Sequence, residues 1–164
     1  MLFRSEQSHL YSIVELCRNY FFRNPYDGWF KRLEYIISGT EASYYRASHQ
    51  ACHLDLVPYA TARKWTDLGT RQRSALLEKT GDTLGILLRN SPVQVLILNG
   101  KTVVENLQRI ADVELECNEM PDWTLPRKSN GGVRGKSFKG VVRSLGGVSL
   151  NREILVLGYN HNIQ

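Results

Sequence analysis

The chain lacks any run close to the roughly 18 apolar residues that a membrane-spanning helix requires. Its start, Met1-Leu2-Phe3-Arg4-Ser5-Glu6, is too short and too charged for a secretory signal. No membrane partner is expected, and a cytoplasmic location is the default. Cysteine is scarce: Cys17, Cys52 and Cys117 are an odd count without C-x-x-C spacing, which argues against a disulfide framework or a zinc knuckle and leaves buried thiols as the expectation. His49 and His53 have no further ligands at metal-binding spacing. The strand-to-helix turn Asn99-Gly100-Lys101 carries neither G-x-G-x-x-G nor G-K-[ST] with its upstream glycine, so a Rossmann cofactor or a P-loop nucleotide is not supported. Acids are missing from Arg127 to Gly147, where Arg127, Lys128, Arg134, Lys136, Lys139 and Arg143 alternate with six glycines. Glycine lets a backbone approach a phosphate and the cations supply counter-charge, although a solvated hairpin kept soluble by its lysines has the same composition.

What is present is ordinary globular material. With 164 residues, 42% hydrophobic and 23% charged, the chain has enough apolar side chains for one real core, and its net charge of +5 favours an acidic partner such as nucleic acid. From Ser8 to Phe21 apolar residues recur at helical spacing. Asn24-Pro25-Tyr26-Asp27-Gly28 then reads as a plain turn rather than a catalytic loop, because no strand precedes it. A second helix follows with Trp29, Phe30, Leu33, Ile36 and Ile37 inward, stopped at Gly39. These aromatic stripes are core rather than a stacking platform for bases.

The stretch Cys52-His53-Leu54-Asp55-Leu56-Val57-Pro58 reads as a short buried strand, ended by a proline that has no N–H to donate. Asp55 is its oddity. A carboxylate there needs a partner or a wet cleft, and either a turn-capping role, pairing with a core His or Arg, or a site role accounts for it. His53, two residues away, would share its face. A helix is expected from about Thr70 to Arg89, kinked near Gly81 and Gly85. The strand Val93 to Leu98 and a helix from Thr102 to Ile110 form a parallel βα unit, whose helix start is a ready anion site. Asp112 to Cys117 reads as an edge strand, with Ser137 to Val142 pairing to it as a hairpin, and Glu153 to Gly158 is a last buried strand. The expected architecture is α/β, a three-layer α/β/α sandwich with a central, mainly parallel sheet.

Three strand exits thus carry polar clusters: Asp55 with Tyr59, Thr61 and Trp65; Asn99; and Asn160-His161-Asn162. In this order the motifs resemble the uracil-DNA glycosylase superfamily, over the stretch from about Cys52 to the end. The resemblance implies a single α/β domain over 1–164, expected to be incomplete at one or both ends. It also implies a DNA partner, a hydrolase role in DNA repair, and no metal or organic cofactor. By position, His161 matches the family histidine that donates to the departing base and stabilises its anion. Asp55 falls where many members place a base-reading asparagine. Tyr59, Thr61, Trp65, Asn99, Asn160 and Asn162 would form the base site, and Lys101, Arg134, Lys136 and Lys139 would grip phosphates. Two departures stand out. An ionised aspartate only accepts hydrogen bonds, so it disfavours the O4 of uracil and tolerates an amino group. The family's first motif, a strand and Gly/Pro loop that position water, does not precede the Ser8 helix. A base-processing enzyme, a non-catalytic nucleic-acid or modified-nucleotide binding module, and a small-molecule α/β enzyme all remain open at this point.

Overall fold

The computed structural model describes residues 19–24, 26–46, 50–58, 62–127 and 131–162. Most of the helix expected from Ser8, together with Cys17, His49, Tyr59, Thr61 and Lys128, lies outside the described residues. The chain divides into two compact units, residues 1–53 with 163–164, and residues 54–162.

The first unit is built on α1, Asp27–Ile37. The turn before it is local chemistry, as expected: Asn24 Oδ1 accepts the Tyr26 N–H at 2.9 Å. Asp27 opens the helix, 2.6 Å from the Lys31 ammonium and 2.9 Å from the Tyr45 hydroxyl, and those two hydrogen bonds hold its carboxyl below the usual range. The helix passes through a 3-10 turn at Ser38–Thr40, and the left-handed residue that ends it is Glu41, not Gly39. Phe30, Leu33 and Tyr44 form the core, with Phe21 edge-on to Phe30 at 4.9 Å. Burial pushes the Tyr44 and Tyr45 phenols up to about 12. His53 sets its ring edge-on to Trp29 at 5.1 Å and to Phe30 at 5.4 Å, which joins it to this aromatic cluster.

The second unit carries the sheet. Its elements are α2 (Thr70–Arg89), β1 (Val95–Asn99), α3 (Lys101–Ala111), β2 (Glu116–Leu125), β3 (Val133–Leu145) and β4 (Val148–Tyr159). Helix α2 runs unbroken through Gly81 and Gly85, and Gln72 accepts the Gly69 N–H at its start. Helix α3 turns Val104, Leu107 and Ala111, at i, i+3 and i+7, into the core. The strand order is β1-β4-β3-β2. β1 runs parallel to β4, with Val95 opposite Leu155 and Asn99 opposite Tyr159. β4–β3 and β3–β2 are antiparallel.

The fold is mixed α/β, as expected, but a mainly parallel sheet in a three-layer sandwich is not. The cause lies in the connections. Gly146 and Gly147, at φ 54° and 79°, make the two-residue turn that joins Leu145 to Val148, and such a turn can only return the chain antiparallel. The expected hairpin forms in part: Glu116 and Cys117 pair with Lys139 and Phe138, but β2 runs on to Leu125 and does not include 112–115, because Asp112 is a left-handed helix cap. Leu84 and Leu88 of α2 and Val104 and Leu107 of α3 join Leu98, Val142, Ile154 and Val156 in one core cluster, each fully buried side chain worth roughly 1.5–3 kcal/mol. Within this unit both helices therefore pack into the same core.

The stretch Cys52 to Val57 is not a strand. Cys52 to Asp55 are exposed coil, with Leu54 at 42% exposure, and Leu56 and Val57 form a bend. Outside a ladder Asp55 is exposed, whereas an unpaired carboxylate inside a sheet would cost several kcal/mol. Cys52 and Cys117 are exposed thiols, contrary to the expected burial.

Candidate functional site

The exits of β1 and β4 are stitched to each other. Gly100 donates its N–H to Tyr159 O at 3.0 Å, and Lys101 donates to Asn160 O at 3.2 Å. Gly100 holds φ 98° and serves as the N-cap of α3, and its carbonyl accepts the Val103 and Val104 N–H groups. The first donors of α3 are therefore largely engaged by the chain itself, which weakens the expected anion site at that helix start.

A hollow of about 460 Å³ opens beside this junction, within the size range of small-ligand clefts. Asp55, Thr66, Thr102, Asn106 and Asn162 give it polar groups, while Leu56, Val57, Trp65, Leu77 and Val103 give it apolar wall. Trp65 is fixed from behind: the Arg73 guanidinium lies 5.8 Å from its ring centre and donates to Thr66 O at 2.8 Å. Asn106 donates to Thr102 O at 2.9 Å and accepts from Arg109 at 3.3 Å, so its amide is occupied along its own helix. Asn162 is held by shape. A Cβ on Gly100 would lie 1.8 Å from its Oδ1, so its amide rests directly on the glycine.

On the other side of α3 lies a second hollow of about 540 Å³, whose walls include Lys101, Arg134, Lys136, Cys117 and Asn160. Arg134 pairs with Glu119 at 3.4 Å and Lys101 with Glu105 at 3.4 Å, both exposed pairs of small worth. Asn160 is a clamp: its Oδ1 accepts the Lys136 N–H at 2.8 Å and its Nδ2 donates to Arg134 O at 2.7 Å.

Of the residues predicted from sequence, Asp55, Trp65 and Asn162 meet in the first hollow, and Lys101, Arg134 and Lys136 meet with Asn160 in the second. Asn99 ends β1 opposite Tyr159 and is outside the lining of either. Lys139 sits opposite Glu116 on β3, three residues and so one face away from Lys136. His161 is half-buried, with its Nε2 2.7 Å from Trp123 O, so its ring engages the edge strand β2 and not the hollow that holds Asp55. Tyr59 and Thr61 lie outside the described residues.

Comparison with protein-family models, curated proteins and solved structures found no match. Thr102 and Asn106, four apart on the outer turn of α3, were not predicted, and only their spacing just after a strand-to-helix turn signals a shared position facing a cleft.

Proposed function

We propose that the chain is a monofunctional DNA glycosylase, resembling the uracil-DNA glycosylase superfamily, that hydrolyses the N-glycosidic bond of a damaged or deaminated base. The observation that carries the reading is the hollow at the β1 and β4 exits, in which a carboxylate, an indole and a carboxamide meet. A flipped base needs an aromatic or apolar wall for its face and hydrogen-bonding groups for its edge, and this lining supplies both. The basic hollow on the far flank of α3 suits phosphates. In the reaction water adds to C1′ as the C1′–N bond breaks, the bonding electrons leave with the base, and Asp55 orients the water or takes its proton.

One observation favours a second reading, a module that holds a modified base or nucleotide without cutting it. The His161 ring is engaged by Trp123 O rather than by the hollow, and in this arrangement it does not attend a leaving base. Oligonucleotides carrying uracil, xanthine, hypoxanthine or 5-hydroxycytosine, incubated with the full chain and then treated with alkali, separate the two. Breaks at the marked base are expected. Salt-sensitive binding without breaks would favour the module, and no DNA affinity at low salt would remove both. Because the ring is tied to Trp123 O, His161→Ala is expected to change cleavage by less than about tenfold, and a larger loss with DNA affinity unchanged would mean that the histidine attends the leaving base after all. Equal loss of both would make the histidine a structural tie to β2.

A further inference from the structure

Beyond the base hollow, the geometry points to a second site: the hollow between α3 and the β2–β3 hairpin binds a nucleoside phosphate, its phosphate at Lys101, Arg134 and Lys136 and its ring over Val104 and Phe138. One residue gathers the cations. Asn160 accepts the Lys101 N–H on its carbonyl at 3.2 Å and the Lys136 N–H on its Oδ1 at 2.8 Å, and its Nδ2 donates to Arg134 O at 2.7 Å. The backbones that carry all three cations are therefore fixed at one end of the hollow before any ligand arrives, which lowers the ordering cost of binding. Their direction follows from the ladder. Arg134, Lys136 and Phe138 alternate on one face of β3, and Phe138 packs against the core cluster that holds Val104 and Leu107, so that face is turned to α3. Cys117, opposite Phe138, and Glu119, opposite Lys136, share it. Both acids nearby are committed, Glu105 to Lys101 and Glu119 to Arg134, in exposed pairs that yield readily to a phosphate. Lys136 is half-buried and has no ion pair among the described residues, so its ammonium is the charge that an incoming anion answers. Size argues for more than a phosphate. Water takes about 30 Å³ of its liquid, so a phosphate group, a few waters in size, leaves most of the roughly 540 Å³ unfilled. The remaining wall is apolar at Val104, Val133 and Phe138, and every nucleobase offers a π-face to such a wall. The nucleotide is free or part of a strand, and the site stands whether or not the chain cuts DNA.

The test follows alkylation of the exposed Cys117 by iodoacetamide on the full chain, with the exposed Cys52 as internal reference, beside calorimetric titration. The probes are dAMP, deoxyribose 5-phosphate, inorganic phosphate, and a short oligothymidylate with its abasic counterpart. With dAMP, alkylation of Cys117 is expected to slow several-fold and that of Cys52 to stay unchanged. Binding of dAMP is expected to be about tenfold or more tighter than that of either baseless phosphate, the worth of one stacked ring. Lys136→Ala is expected to weaken dAMP about tenfold or more, and Lys139→Ala, which removes the same charge from the opposite face, to leave it unchanged. Protection by dAMP upholds the site for a free nucleotide, and protection by oligothymidylate but not by its abasic counterpart upholds it for a nucleotide within a strand. Inorganic phosphate that binds as tightly as dAMP, or an abasic strand that protects as well as oligothymidylate, leaves a bare anion site and overturns the inference. So do equal losses from the two lysine variants, or no protection of Cys117 by any probe. Excision with Cys117 unprotected overturns this inference and spares the glycosylase reading, whereas protection without excision upholds it and counts against that reading.

Discussion

Arg152 joins the end of α2 to the sheet. From β4 its guanidinium donates to Leu88 O at 2.6 Å, Ser91 O at 2.7 Å, and Arg89 O and Val93 O at 3.2 Å each. These carbonyls close a helix end and the following turn, where intrahelical donors run out, although Leu88 O also accepts from the Ser91 N–H and hydroxyl, and a cation there meets the negative end of the helix dipole. Arg152→Ala is expected to lower stability by about 2–3 kcal/mol, read as a fall in the urea midpoint at constant slope. Lysine should recover little, because one ammonium cannot span the same set of carbonyls. A loss below about 0.5 kcal/mol would show that water serves those carbonyls as well. The contrast with the exposed Arg143–Glu153 pair is instructive, since long side chains held in solvent gain little from pairing.

At the scale of elements, the two glycines of α2 have different duties. A Cβ on Gly85 would lie 2.5 Å from Leu145 O and 2.8 Å from Val148 Cβ, against the backbone of the β3–β4 turn, which cannot give way cheaply. On Gly81 it would meet Gly146 Cα and Ile110 Cγ2 at 3.5 Å, ordinary contact. Gly85→Ala is therefore expected to destabilise by about 1–3 kcal/mol despite its better helix propensity. Gly81→Ala is expected to stabilise by up to about 1 kcal/mol. Thermal unfolding of the two variants checks the opposite signs, and equal signs would mean that the helix is not held this close to the turn. This same turn marks the limit of what the sequence displayed. The β1–α3 unit was legible because a continuous apolar run, Asn-Gly and an amphipathic repeat are all local signals. Gly146-Gly147 is also a hairpin signal, but a basic, glycine-rich stretch fits phosphate chemistry and a solvated hairpin equally, and neither reading says that the hairpin places β4 antiparallel to β3. Leu54, Leu56 and Val57 look like a strand because periodicity says nothing about whether a ladder partner exists. Asp55, Trp65 and Asn162 do line one hollow, but not as a consequence of strand exits, since the stretch that carries Asp55 is not a strand. The tie between His161 and Trp123 O could not be read, since it depends on β2 arriving from 38 positions away.

For the whole molecule, a net charge of +5 says little until the charges are placed. Arg134 and Lys136 alternate on one face of β3 and line the basic hollow with Lys101, while Lys139 projects from the other face opposite Glu116. If the hollow grips DNA, each of Arg134 and Lys136 neutralises about one phosphate, and the slope of log affinity against log salt should shrink by about one when either becomes alanine. Lys139→Ala keeps the molecule's total charge equal to that of those variants but removes a cation from the opposite face. Titrations of a short duplex between about 50 and 200 mM salt are expected to show the reduced slope for Arg134→Ala and Lys136→Ala and the parent slope for Lys139→Ala. Because all three variants carry the same net charge, equal slopes would mean that binding responds to overall charge alone. The hollow beside α3 would then have no part in holding a phosphate backbone.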